Sequence, residues 1–468
     1  MSRPILKSIW FTIFISAVLS PIEGLAGDGG LSIETINNIR SSFKMDDHTR
    51  SMFNAITNND INSLALNRDL LRNHNEVFSH KIKVKGITNQ KSSGRCWLFA
   101  GLNIMRPTVI RKYKLSKFEL SEPYLQFWDK MEKANNFLEN MIEMRDRDPL
   151  ERDMEILLRN PISDGGWWKY VVALIEKYGV VPIEIMPETA SSEKTGMMNK
   201  LLSRKLRAGT VVIRKSDAEG KSLEELRAEK ETILAEIYKM LAVNLGEPPT
   251  EFEWRFEDQD SVVSKTKTYT PKSFYDNYID FDLSQYVNLF NDATKEYGKH
   301  YSMRLSRNIY DGDDIDYANI DIGVLKETAL KSVLDDEPVW FACDVGKDQD
   351  NKHGIMAMGI YDYDSIYETN MDLSKAERAL FRESAPNHAM VFVGVDVKDK
   401  KAVKWRVENS WGTKKGKDGY WTLYDSWFDN HVYNVIVHKK YVPKDILEIF
   451  KQDPVILPPW DPMYSIIH

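Results

Sequence analysis

The sequence predicts an α+β fold with a helix-rich part, a large charged and mainly helical insertion, and a β-rich part. Three observations predict it. Residues 121–145 set Tyr124, Leu125, Phe127, Trp128 and Met131 at the spacing of one buried helix face. Residues 222–243 do the same with Leu223, Leu226, Ile233, Leu234, Ile237, Tyr238 and Leu241, inside a stretch otherwise dense in charge. Beyond residue 319 the pattern changes to short apolar or alternating runs near 338–345, 388–396, 402–408, 419–424 and 433–438, which read as strands. A chain of 468 residues, 42% of them hydrophobic, exceeds one ordinary core and should form two or three packed units.

Taken in order, Arg3 and Lys7 precede an apolar run from Ile9 to Leu19, and the small-residue site Gly24-Leu25-Ala26 follows. This reads as a cleavable secretory signal over 1–26, because the run is well short of the roughly 20 residues that span a bilayer. Export to periplasm or medium is the expectation, with no membrane span after signal removal and cytoplasmic residence as the alternative. Helices over 31–58 and 61–72 should wrap the core, and 31–192 forms the helix-rich part. The insertion spans 193–318, the β-rich part 319–458, and a tail follows over 459–468.

The two cysteines differ in setting. Cys343 lies in the apolar run 338–345 and reads as core. Cys96 follows Ser92-Ser93-Gly94-Arg95 and heads an apolar helix that Pro107 should bend or end. A thiol at a helix N-terminus meets unpaired backbone N–H groups and the positive end of the helix dipole, both of which favour thiolate. A thiolate needs an imidazole partner, and the imidazole needs a group to orient it. His388 begins the run 388–396, and Asn409 ends the alternating run that includes Val403 to Val407. Cys, His and Asn in this order suit nucleophilic catalysis. Two cysteines and nine dispersed histidines offer no close metal-ligand pairs, and no glycine-rich phosphate loop is present, so no metal or other cofactor is expected. A net charge of −7 with scattered Arg and Lys argues against nucleic acid as the main partner.

The stretches 90–100, 387–391 and 408–412 resemble those of papain-like cysteine peptidases, and within them the bleomycin hydrolase and bacterial aminopeptidase C branch. The resemblance runs from about residue 35 onward. The papain signature C-G-[SA]-C-[WY] is altered to Ser93-Gly94-Arg95-Cys96-Trp97, and His388 stands far beyond the usual spacing of about 130–150 residues. Both departures fit this branch, whose members lack disulfides and carry a large insertion. The resemblance implies a papain-like two-lobe fold, with Cys96 as nucleophile, His388 as base, Asn409 as orienter and Gln90 as the oxyanion-hole glutamine. It also implies that Asp164, Gly165 and Gly166 lie along the substrate backbone and that Trp411 shields the His–Asn pair. The insertion would build a homohexamer. The tail would enter the cleft, where the carboxylate of His468 meets the free amine of a peptide substrate and makes the enzyme an aminopeptidase. Tyr464-Ser465-Ile466-Ile467-His468 replaces the small residues usual in that tail, which leaves an open-cleft endopeptidase as one alternative. A non-catalytic ring that binds peptide or nucleic acid is the other.

Overall fold

The computed structural model describes residues 29–464, so the signal read over 1–26 and the residues 465–468, with His468, lie outside the described residues. The chain divides into two compact units, Met1–Leu64 and Ala65–His468. In the first, the helix expected over 31–58 is two helices, Ile33–Ser42 and Asp47–Asn58. Asp46 starts the second by accepting from the Thr49 N–H at 2.8 Å, an N-cap that also ends the extended stretch before it.

In the second unit the helices Cys96–Lys112, Glu122–Glu143, Trp168–Tyr178, Gly196–Ala218 and Leu223–Leu245 pack around one apolar cluster. Ser121 caps the second of these, and the Ser222–Glu225 capping box starts the last. Leu226, Ile233, Ile237, Leu241 and Leu245 of Leu223–Leu245 are buried, and the helix packs on Glu122–Glu143, to which Arg227 and Lys230 tie it through Glu139. Its apolar stripe therefore serves the same chain. Pro107 does not end the Cys96 helix, which runs on to Lys112. The lost N–H bond is offset by burial of Pro107, Val109 and Ile110.

The β layer is one twelve-stranded sheet. Its order is Val455–Leu457, Lys299–Met303, Asp316–Asn319, Tyr286–Phe290, Val432–His438, Val339–Cys343, His388–Lys398, Lys401–Glu408, Tyr420–Tyr424, Ile355–Met356 and Gln349–Asp350, with His80–Lys81 pairing off His388–Lys398. Three of these strands, between 286 and 319, fall in the stretch read as helical insertion. They are short, and polar residues such as Asn288 and Ser302 interrupt their apolar pattern. His388–Lys398 lies at the centre of the layer and is buried on both faces. Ala389, Val391 and Val393 join the helical cluster, while Met390, Phe392 and Val395 join a second cluster with the helix Ile322–Leu334.

One ion pair ties the helices to the sheet beside the candidate residues. Arg106, in the Cys96 helix, donates from Nη2 to Glu408 Oε1 at 2.5 Å, and both side chains are buried. Burial raises the Glu408 carboxyl while Arg106 opposes that shift. Arg106→Met should therefore leave a buried acid without its counter-charge and cost about 3–5 kcal/mol in urea unfolding. The double variant with Glu408→Met should recover most of that loss.

Candidate active site

Gln90, Gly94, Cys96, Asp164, Gly165, Gly166 and His388 line one cleft of about 420 Å³. Cys96 opens its helix there and is half-buried. His388 opens its strand, where it pairs with Cys343 of Val339–Cys343, and is 6% exposed. Asn409 follows the last residue of Lys401–Glu408, so two adjacent antiparallel strands present imidazole and amide at the same end. His388 Nε2 lies 2.9 Å from Asn409 Oδ1. This bond assigns the proton to Nε2 and leaves Nδ1 to accept one. Trp411 lies over the imidazole at a centroid distance of 4.9 Å and meets Trp421 edge-on at 5.7 Å.

Gln90 is held at both ends of its amide. Oε1 accepts from Ser410 Oγ at 2.6 Å and Nε2 donates to the Ser93 carbonyl at 2.6 Å. Ser410 also donates its N–H to Asn409 Oδ1 at 2.8 Å. The second Nε2 hydrogen has no committed acceptor and belongs to a side chain that lines the cleft.

Asp164 packs against Gly94 of the loop before Cys96, with both oxygens engaged. Oδ1 meets Lys130 Nζ at 2.7 Å and Asn199 Nδ2 at 2.7 Å, while Oδ2 accepts from the Gly94 N–H at 3.1 Å and from Thr195 Oγ1. Burial pushes this carboxyl up, but Lys130, Thr195 and Asn199 more than reverse it and hold it well below the usual carboxylate range. Lys133 Nζ grips the carbonyls of Ser163 and Gly165 at 3.1 and 2.7 Å. Two glycines permit the close packing. A Cβ on Gly94 would lie 2.8 Å from Asp164 Cβ, and one on Gly166 only 2.5 Å from the Trp97 ring.

Sequence reasoning did not single out Lys130, Lys133, Arg95 or Ser410. Lys130 had a signal, since it falls on the same helical stripe as Phe127, Ala134 and Phe137, where a cation must find a buried acid. Among the described residues no group of three or more His, Cys, Asp or Glu is placed to hold a metal ion, and no helix is long and apolar enough to cross a membrane.

Electrostatics correct one expectation. The Ala389 N–H, on the strand beside His388, and the Trp97 and Cys96 N–H groups at the helix start all act to favour thiolate. Burial nevertheless outweighs them and pushes the Cys96 thiol up to about 11. Burial also lowers His388 to about 4, against the pull of Asn409. The unfolded imidazole, at about 6.5, thus binds more protons than the folded one at any pH between those values. Stability should then fall as pH drops from 6.5 through 4, by about 3 kcal/mol for this group at pH 4 relative to pH 7. Burial lowers His431 and His74 too, and they add losses of the same sign. Urea midpoints at pH 7 and pH 4 should therefore differ less in His388→Gln than in the parent chain.

The sequence profile of the Peptidase C1-like family matches residues 30–464. Aminopeptidase C of Listeria monocytogenes is 43% identical over 392 residues, covering 83% of this chain and 88% of that protein. Human bleomycin hydrolase is 37% identical over 449 residues, covering 93% and 99%. Among solved structures, PepW from Lactobacillus rhamnosis HN001 superposes with a TM-score of 0.91 at 39% identity, over 93% of this chain and 99% of that one. A match of this extent, on an α+β framework that brings Cys96 and His388 into one cleft, places the chain in the Peptidase C1-like family as a papain-like cysteine peptidase.

Proposed function

We propose that this peptidase is an aminopeptidase, removing residues from the free amino terminus of peptides through an acyl-enzyme on Cys96. The observation that carries the reading is the shared cleft of Gln90, Cys96 and His388, one wall of which, Trp167, stacks on Tyr464 at a centroid distance of 6.5 Å. Cys96 Sγ attacks the scissile carbonyl carbon as its proton passes to His388 Nδ1. Burial favours the neutral thiol and imidazole separately, so the two charges form together, as a pair. The carbonyl oxygen becomes an oxyanion and accepts from the Cys96 N–H and the free N–H of Gln90. As the C–N bond breaks, His388 gives its proton to the leaving amine. Water, deprotonated by the same imidazole, then releases the amino acid. Asn409 and Trp411 keep the ring oriented and covered. The backbone of Gly165 and Gly166, rather than the engaged Asp164 carboxylate, is the edge offered to the substrate.

Specificity for a free amine is assigned to the tail. Tyr464 is anchored by Trp167 and by Tyr170, whose hydroxyl lies 3.3 Å from its own. Four further residues reach at most about 14 Å when extended. In this reading the His468 carboxylate pairs with the substrate ammonium and blocks longer chains. The exposed Met197, Leu201, Val211 and Val212 on Gly196–Ala218 support assembly through the insertion, as a homohexamer. Sedimentation of the purified protein should give six times the chain mass. Residues 1–26 are proposed to direct export, and mass spectrometry of the secreted protein should find them removed.

A short peptide with a free amino terminus should be cleaved at least about a hundredfold faster than its N-acetylated twin, and Cys96→Ala should abolish both reactions. Removal of residues 465–468 should narrow that preference by admitting the acetylated peptide. Equal cleavage of both peptides by the intact protein would instead make it an endopeptidase.

A further inference from the structure

The side chain just before the proposed nucleophile takes no part in the scheme above, yet it is one of the most deeply buried charges in the chain. Arg95 is 1% exposed. Its Nε–H donates to Ser93 Oγ at 3.0 Å, and its Nη2 donates to Glu188 Oε2 at 3.0 Å and to the Ser192 carbonyl at 2.9 Å. Nη1 stands 3.0 Å from Glu188 Oε1. Ser93 carries the constraint onward. Its Oγ donates to the Gln90 carbonyl at 2.6 Å, and its own carbonyl accepts from Gln90 Nε2 at 2.6 Å. The Gln90 amide thus has two anchors, Ser410 at the oxygen and Ser93 at the nitrogen, and the second is held in place by the guanidinium.

We propose that Arg95 is a positioning residue for the oxyanion donor Gln90, acting through Ser93 and braced by Glu188; this rests on the roles given above to Cys96 and Gln90. A planar guanidinium suits the task because it bonds Ser93, Glu188 and Ser192 at once from one rigid fork, which the point charge of a lysine cannot do. The brace comes from the segment that leads into Gly196–Ala218. The same segment accepts the Ser92 N–H at the Glu193 carbonyl, 3.0 Å away. Through Thr195 and Asn199 it also holds the Asp164 carboxylate that bonds the Gly94 N–H. The loop from Gln90 to Cys96 is therefore gripped at residues 92 and 95 by the segment 188–193 and at residue 94 by Asp164, and Arg95 is the grip that reaches the amide.

The test compares Arg95→Lys, Ser93→Ala and Gln90→Ala, and each of the first two combined with Gln90→Ala, in two reactions. One is turnover of a peptide with a free amino terminus; the other is alkylation of Cys96 by iodoacetamide, which forms no oxyanion. Arg95→Lys keeps a cation facing Glu188, and Ser93→Ala leaves the ion pair untouched, so at least the serine variant should fold. Each should lower kcat about 10–100-fold with KM within about threefold, leave the alkylation rate as in the parent, and add no further loss to Gln90→Ala. Parental kcat in Ser93→Ala would overturn the proposal. So would a loss that multiplies fully with that of Gln90→Ala, or an equal fall in alkylation. Parental kcat in Gln90→Ala would overturn the oxyanion reading itself, which tells the two failures apart.

Discussion

One buried carboxylate, Asp164, organises the catalytic end of this chain. A charge withdrawn from water is tolerated only when it is paired and its remaining lone pairs are satisfied. Lys130, wholly buried, supplies the pair at 2.7 Å, and the Gly94 N–H, Thr195 and Asn199 supply the rest. Those partners come from the loop before Cys96, the helix Glu122–Glu143 and the start of Gly196–Ala218. Asp164 therefore sets the loop that bears Cys96 against the rim formed by Gly165 and Gly166. Neutralising it would strand the Lys130 ammonium and free three segments together, so the placement of the Cys96 loop against Gly165 and Gly166 depends on a single ionisation state.

The same dryness that strengthens this ion pair governs reactivity. Burial opposes charge on the Cys96 thiol and on His388 alike. Neither group is poised to ionise alone, but hydrogen bonds to charge that develops in the cleft are worth more there than in water. In the proposed mechanism the first effect is met by charge appearing as a pair, with Nε2 of the imidazole already fixed by Asn409 and its face covered by Trp411. In the same scheme the second is met by donors held before substrate arrives. The Gln90 amide is fastened at both ends, and its support runs back through Ser93 to Arg95 on one side and through Ser410 to Asn409 on the other.

What the sequence made legible follows from the range of the interactions involved. The strands near 388–396, 402–408 and 433–438 were readable because buried strands need continuous or alternating apolar residues. The helix Leu223–Leu245 was readable because its apolar stripe is local. Cys96, His388 and Asn409 were readable because each stands at the boundary of such an element. The strands Tyr286–Phe290, Lys299–Met303 and Asp316–Asn319 were missed because they are short and owe their place to neighbours in the sheet rather than to their own pattern. Which of the two outcomes Pro107 would have, and the net rise of the Cys96 thiol, were not legible for a related reason. Both depend on how completely the helix is buried, a property of the packed molecule. The supporting polar residues were the least legible. A lysine, an arginine and a serine carry no sign of their role until Asp164, Glu188 and Gln90 are brought beside them from distant parts of the chain.

The sheet register explains why the candidate residues converge despite their separation in sequence. His388 pairs with Cys343 on one side of its strand, and Val391 pairs with Glu408 on the other. Because side chains alternate, a slip of one residue would exchange Met390 and Phe392 with Ala389 and Val391 between the two cores and turn the imidazole away from the cleft. Large rings on one face and smaller side chains on the other make that exchange costly: Phe341 and Phe392 stack at 3.8 Å on the first, where there is no room to spare. The register in turn fixes Glu408, which holds Arg106 of the Cys96 helix. Packing of the apolar face thus orients the imidazole of His388, the proposed base, places Asn409 beside it and ties the helix that begins at Cys96 to the same strand pair, so the polar site inherits its precision from the hydrophobic alternation beneath it.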